Sequence, residues 1–205
     1  MKKLIDYFLE IQSIKDTKRY KPYDNIFHEN VAAHSFLMIV MATKLIDELK
    51  LDLDFKKVID LIIHHDFGEI GLEFDFAAVN TVTKQQKQHK EDVEERKINE
   101  LSDKYGQKIK ELNDEYSRPT TREGHFVKLI DKMESIIYIV KKGCEKIYNS
   151  DNERRVIATR GNDIVKNFPE LILFWKELQA LVKSEYLRVG YEWKPEYDFE
   201  QRNSK

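Results

Sequence analysis

Glycine and proline are scarce in this chain, and that scarcity narrows the folds open to it more than any single motif. Seven Gly and four Pro occur in 205 residues, where average usage would give roughly 25 of the two together. Few breakers and many Lys, Glu, Leu and Ile favour long helices. The apolar pattern agrees. Leu4, Phe8, Ile11 and Ile14 recur at helical spacing. Val31 to Leu49 reads as a helix with His34, Met38, Met41 and Leu45 on one face. Phe55 to Asp66 repeats the pattern with Val58, Leu61, Ile62 and His65, until Gly68 and Gly71 interrupt it. No period-2 strand appears. The expected architecture is all-α, with six to eight helices.

The rest of the chain fits the same scheme. Thr83 to Tyr116 is highly charged, with a thin stripe of Leu101, Tyr105, Ile109 and Leu112. It reads as one broken helix or two, weakened at Gly106, presenting a solvated face; its stripe is also a candidate dimer contact. Thr120 and Glu123 have the spacing of a capping box, which predicts a helix from about Thr121 to Lys142 that stops near Gly143. Two further helices are expected, about Asn152 to Asn167 and Pro169 to Leu187. The aromatic and polar tail from Gly190 is free to dock or fray.

Composition excludes several classes. Apolar residues make up 41% and charged residues 35%, an ordinary globular balance. The length suits one domain over 1–205, with the motif-bearing core in about 1–145 and the helices of about 152–187 packed on it. A net charge of −2 gives no global attraction to nucleic acid or to acidic membranes. The single Cys144 excludes an internal disulfide and suits a reducing cytosol, so a cytoplasmic location is expected. Asp6, Glu10 and Gln12 interrupt any signal-peptide core, and no run of about 18 apolar residues is present to span a membrane.

One adjacent pair stands out. His65-Asp66 sits where the apolar run Leu61-Ile62-Ile63 meets the glycine-broken Phe67-Gly68-Glu69. His34 lies on the inward stripe of another helix, and Asp131 at the edge of a third, in Val127-Lys128-Leu129-Ile130-Asp131. Taken singly, each has an ordinary reading as a buried, hydrogen-bonded histidine or a helix-surface carboxylate. Together they are two imidazoles and two carboxylates on faces that should point inward. A buried carboxylate without a partner is costly, and one divalent cation compensates two. Imidazole with carboxylate suits Mn²⁺, Fe²⁺, Co²⁺ or Zn²⁺, with Mg²⁺ as a further option. Neighbouring helix residues point about 100° apart, so His65 and Asp66 can share one ion only near a helix end, which Gly68 supplies. His64 falls away from that face and is not expected to be a ligand.

The ordered set His34, His65-Asp66, Asp131 resembles the HD-domain superfamily of metal-dependent phosphohydrolases, with its helical bundle. A closer resemblance is to the bacterial 5′-deoxynucleotidase branch. It rests on Arg19-Tyr20, Glu29-Asn30-Val31-Ala32-Ala33-His34-Ser35, His65-Asp66-x-x-Glu69, and Lys128 three residues before Asp131. The resemblance implies hydrolysis of a phosphate monoester of a small nucleotide, with His34, His65, Asp66 and Asp131 as ligands of one divalent metal. It gives Glu69 a catalytic role and expects another acid further along, Asp75 or Glu73. Arg19 would grip phosphate through its planar fork. The aromatic residue beside it, Trp in the relatives and Tyr20 here, would pack near the sugar. Lys128 would assist the phosphate or remain a solvated lysine. Glu29 would fix a loop or pair with a cation, and the family leaves room for a homodimer. Two other readings stay open: hydrolysis of another phosphate ester or a nucleoside triphosphate, and metal retention in a regulatory protein without turnover.

Overall fold

The computed structural model of the chain describes residues 1–20, 28–73, 83–146 and 150–199. Among them are eight α-helices and no β-strand, as the composition and spacing predict. They are α1 (Lys2–Ile11), α2 (Val31–Leu49), α3 (Phe55–His64), α4 (Lys84–Tyr105), α5 (Lys108–Ser117), α6 (Arg122–Lys142), α7 (Asp151–Thr159) and α8 (Ile172–Arg188). No described helix is long and apolar enough to cross a membrane.

Side-chain oxygens start most of these helices, taking up amide donors that the first turn leaves unpaired. Asn30 accepts from Ala33 N–H, Asp54 from Lys57 N–H and Thr121 from Gly124 N–H. Thr83 with Gln86 and Ser150 with Glu153 form reciprocal capping boxes. The box expected at Thr120 and Glu123 does not form. Glu115 captures the Thr120 hydroxyl at 2.8 Å, and Glu123 turns to the Asp54 amide at 3.1 Å. The cap falls one residue later, on Thr121. Gly143 ends α6 at φ +105°, a conformation rare for other residues.

Helix α6 is the axis of the fold. Phe126, Val127, Leu129, Ile130, Met133, Ile136 and Ile139 are all buried on it. It packs against α2, α3 and α5, and α8 also lies against it. The same core runs on into Trp175, Tyr186 and Tyr197, so the aromatic tail docks at least as far as Phe199.

A second, smaller core lies under the segment after α3. Phe67 and Ile70 meet Ile98, Leu101 and Ile109, with Tyr7, Ile11, Ile14 and Tyr105 around them. This corrects two expectations. The Leu101–Ile109 stripe is covered by the chain itself and is not a free dimer seam. In α1, Leu4 and Phe8 are exposed, while Tyr7 and Ile11 pack inward. The break between α4 and α5 does fall at Gly106. Two boundaries also shift. Helix α3 ends at His64 rather than Asp66; after Thr159 the chain runs through turns into the 3₁₀ segments Val165–Asn167 and Pro169–Leu171 rather than continuing as α-helix.

Candidate metal centre

Three elements bring the predicted ligands together. Helix α2 carries His34, fully buried. His65 and Asp66 leave the end of α3, and Asp131 comes from the middle of α6. The end of α3 lets two adjacent residues face one point. His65 still has helical dihedrals, whereas Asp66 has left them, at φ −107° and ψ 19°. A 3₁₀ turn, Phe67–Glu69, follows directly. Gly68 lets this turn lie against α4, because a Cβ there would stand 2.8 Å from Glu94 Cβ.

The two imidazoles are oriented alike. His65 Nδ1 bonds the Ile62 carbonyl oxygen at 2.7 Å, and His34 Nδ1 bonds a carboxylate oxygen of Glu134. An N–H on each Nδ1 satisfies both contacts and leaves each Nε2 with its lone pair. Both Nε2 atoms are buried without an aligned hydrogen-bond partner. Each nevertheless lies beside a carboxylate oxygen. His65 Nε2 is 2.9 Å from Asp66 Oδ2, and His34 Nε2 is 3.3 Å from Asp131 Oδ1. Donors that each lie about 2.1 Å from a shared ion stand about 3 Å apart. Donor atoms of His34, His65 and Asp66 all lie within 4.8 Å of one another; Asp131 is outside that group and adjoins it at His34 Nε2, 3.3 Å away. Unpaired Nε2 lone pairs facing carboxylates fit a divalent cation of the imidazole-tolerant class.

A second cluster, Glu29, His34 and Glu134, is equally close. It suits a cation less well. It would use His34 Nδ1, which Glu134 already holds, and Glu29 is paired with Arg19 Nε at 3.1 Å. Glu134 is better read as the carboxylate that fixes the His34 ring, a common companion of metal-bound histidine.

Charges around the centre are balanced locally. Burial pushes the Asp131 carboxyl up, but the Lys132 ammonium and His34 outweigh it and hold Asp131 well below the usual carboxylate range. The Tyr116 hydroxyl donates to Asp131 Oδ2 at 2.8 Å, and Lys132 contacts the same oxygen. This leaves Oδ1 facing His34. Asp66 is also held low: burial opposes ionisation, and His65, His34 and Arg19 overcome it. Burial and then Asp131 raise the Tyr116 phenol far above its ordinary value, so it remains a donor.

Arg19 reaches this centre because its segment is stitched into the fold. The Arg19 amide donates to the Glu29 carbonyl at 2.9 Å and the Val31 amide to Thr17 at 3.1 Å. The buried Thr17 hydroxyl lies within hydrogen-bond reach of the carbonyls of Glu69 and Leu72. The guanidinium then lies 3.8 Å from Asp66 and donates to Ser135 Oγ at 3.1 Å. Tyr20 is buried behind it, stacked on Tyr138 at 5.6 Å, with a left-handed φ of +58°. A bulky residue in that region is uncommon and carries strain.

The remaining candidates are placed less uniformly. Glu69 is buried in the 3₁₀ turn, 3.6 Å from Lys90 of α4. Glu73 is exposed, and Asp75 lies outside the described residues. Lys128 is bound away from the ligands, to the carbonyls of Ser117 at 2.7 Å and Tyr116 at 3.4 Å. His64 is half-buried on the Asp60 carbonyl and takes no part.

Sequence reasoning missed Glu134, Tyr116, Lys132, Lys90 and Glu94. Glu134 was legible in principle, one helical turn after Asp131 on the same face. Lys90 and Glu94 were hidden in a charge run read as solvated. In the structure they pack beside Glu69, and burial, with Asp66 adding, raises the Glu94 carboxyl.

No curated protein matches the chain. Among solved structures, a conserved hypothetical protein from Pyrococcus furiosus is similar, with a TM-score of 0.61 and 22% identity over 88% of this chain and 99% of that one. At that identity the likeness speaks for the fold. Residues 11–172 match the HD domain family, a span that includes all four candidate ligands, and the chain belongs to that family.

Proposed function

We propose that the chain is a metal-dependent phosphohydrolase that removes the 5′-phosphate from nucleoside monophosphates, with deoxynucleotides preferred. The observation that carries this is the pair of buried Nε2 atoms, each facing a carboxylate, with a guanidinium beside Asp66. The likeness of Arg19-Tyr20 and Glu29 to Ser35 to the deoxynucleotidase branch supports the substrate class.

His34, His65, Asp66 and Asp131 would hold the ion. Bound there, a divalent metal supplies a water acidic enough to ionise near neutral pH and offsets charge on phosphoryl oxygens. Arg19 holds and orients the phosphate through its planar N–H fork. Glu69, buried one turn after the ligand pair and 3.6 Å from Lys90, takes the proton of the attacking water. Glu134 holds the tautomer of His34. Tyr20 backs Arg19, its guanidinium 5.6 Å from the ring centre, and sets the wall that the sugar meets. The further acid expected by the resemblance is Asp75, with Glu73 as the alternative.

Phosphate release from a panel of deoxy- and ribonucleoside mono- and triphosphates, with Mn²⁺, Co²⁺, Mg²⁺ or chelator, tests this reading. Metal-dependent release of inorganic phosphate from deoxynucleoside monophosphates is expected. Release of pyrophosphate or triphosphate alone, or metal binding with no turnover on any ester, would overturn it.

A further inference from the structure

A cavity of about 630 Å³ opens between α4, α5 and α6, within the roughly 300–1,000 Å³ typical of small-molecule sites. It adjoins the metal centre. Tyr116 and Lys132 line it, and both bind Asp131. The Tyr116 ring lies edge-on to His65 at 5.1 Å and under the Lys128 ammonium at 5.4 Å. It therefore stands between cavity and centre.

The lining is basic in a chain whose net charge is −2: six cationic side chains face four carboxylates. Three of those acids are already engaged, Glu91 by Lys87, Glu94 by Lys90 and Asp114 by Arg118. Lys110 and Lys128 differ. Lys110 bonds only the neutral amide oxygen of Asn99 at 2.8 Å, and Lys128 only backbone carbonyls, among the described residues. Neutral oxygens satisfy their N–H donors and cancel no charge; Lys132 is paired with Asp131, which also acts on Lys128, so Lys110 is the lining cation with no acid bonded to it among the described residues. A partly buried cation without a counter-ion is costly. An oxyanion would remove that cost and match the rotatable ammonium groups of Lys110 and Lys128.

We propose that this cavity is a second anion subsite, in which Lys110 and Lys128 receive a phosphate-class group distinct from the one held by Arg19 at the metal centre. The choice of anion rests on the phosphohydrolase reading; the subsite itself does not need turnover. The group belongs either to the substrate, as a second phosphate on the same molecule, or to a separate phosphate that binds beside it.

Calorimetric titration of inorganic phosphate into metal-loaded protein tests the subsite directly. Two binding events are expected. Lys110→Gln and Lys128→Gln should each weaken one of them by roughly tenfold, the size of one charge-assisted contact, and Arg19→Gln should weaken the other. Lys110 is only half-buried, so a folded Lys110→Gln protein, checked by circular dichroism, keeps the test clean. Phosphate affinity unchanged in both lysine variants would overturn the subsite, whatever the hydrolysis assay shows. Kinetics then separate the two sources. If one molecule spans both sites, Lys110→Gln raises KM for a nucleoside 3′,5′-bisphosphate and not for the 5′-monophosphate. If the anions are separate, inorganic phosphate alters monophosphate turnover in the wild type and not in Lys110→Gln. Lysine-dependent phosphate binding in a protein that hydrolyses no ester would sink the catalytic reading and leave the subsite standing.

Discussion

Glu134 offers the sharpest test of how the centre is built. His34 is fully buried and Glu134 nearly so, and the carboxylate holds His34 Nδ1 while Nε2 faces Asp131. Glu134→Gln keeps an acceptor oxygen but removes the charge that makes the imidazole a better donor to a metal. Loss of such a partner typically lowers metal affinity about 10–100-fold, or about 1.4–2.7 kcal/mol. Glu134→Ala also leaves a buried N–H without an acceptor, which should cost about 1–3 kcal/mol of stability. Competition with a chromophoric chelator measures the first quantity and urea unfolding of the metal-free protein the second. The chelator assay is best run at about pH 8, where protons compete less for the imidazole. Glu29→Gln is the control. Its partner is Arg19, so metal affinity should stay close to wild type. Wild-type affinity in both Glu134 variants would refute the orienting role, and equal losses in the Glu29 and Glu134 variants would mean that the ion uses the Nδ1 side of His34.

Glu69→Gln should retain metal and lose at least roughly 10²-fold in phosphate release, the usual size of a general-base contribution; undiminished turnover would remove Glu69 from the mechanism. Gly68→Ala would bring a Cβ within 2.8 Å of Glu94 Cβ and 3.1 Å of its Cα, so it should destabilise by about 1–3 kcal/mol. A melting temperature equal to wild type would show that the turn yields freely. At Glu10, burial raises the carboxyl, but Lys104, Lys97 and Tyr105 outweigh it and hold the value down at about 2 against an ordinary 4.5. The stabilisation is therefore complete above about pH 4.5 and lost as pH falls towards 2. Glu10→Gln should be less stable near neutrality, with a gap to wild type that closes across that window. A gap independent of pH would refute the pairing.

The helices were legible because their signals are local. The helical spacing from Val31 and from Phe55, the break at Gly106 and the stop at Gly143 are all written in adjacent residues, whereas the caps at Asn30, Asp54 and Thr83 emerged with the structure. The candidate ligands were legible for another reason: His34, His65 and Asp131 sit on apolar faces, where a charge needs a partner. Residues contributed across long separations were harder to see. Lys90 and Glu94 look solvated in a run of like residues, and only the close approach that Gly68 permits turns them towards Glu69. The misplaced cap at Thr120 has the same origin, since Glu115 competes for it from the preceding helix. Tyr20 is the aromatic residue that the resemblance sets beside a sugar; its stacking on Tyr138 and its left-handed φ of +58° had no signal in the sequence.

Metal bound per chain, measured by elemental analysis after chelator stripping and reloading with Mn²⁺, tests the central claim most directly. One equivalent is predicted for the wild type, with none retained after gel filtration by His65→Ala or Asp131→Ala. A wild type that binds no metal, or a His65→Ala protein that still holds a full equivalent, would contradict it.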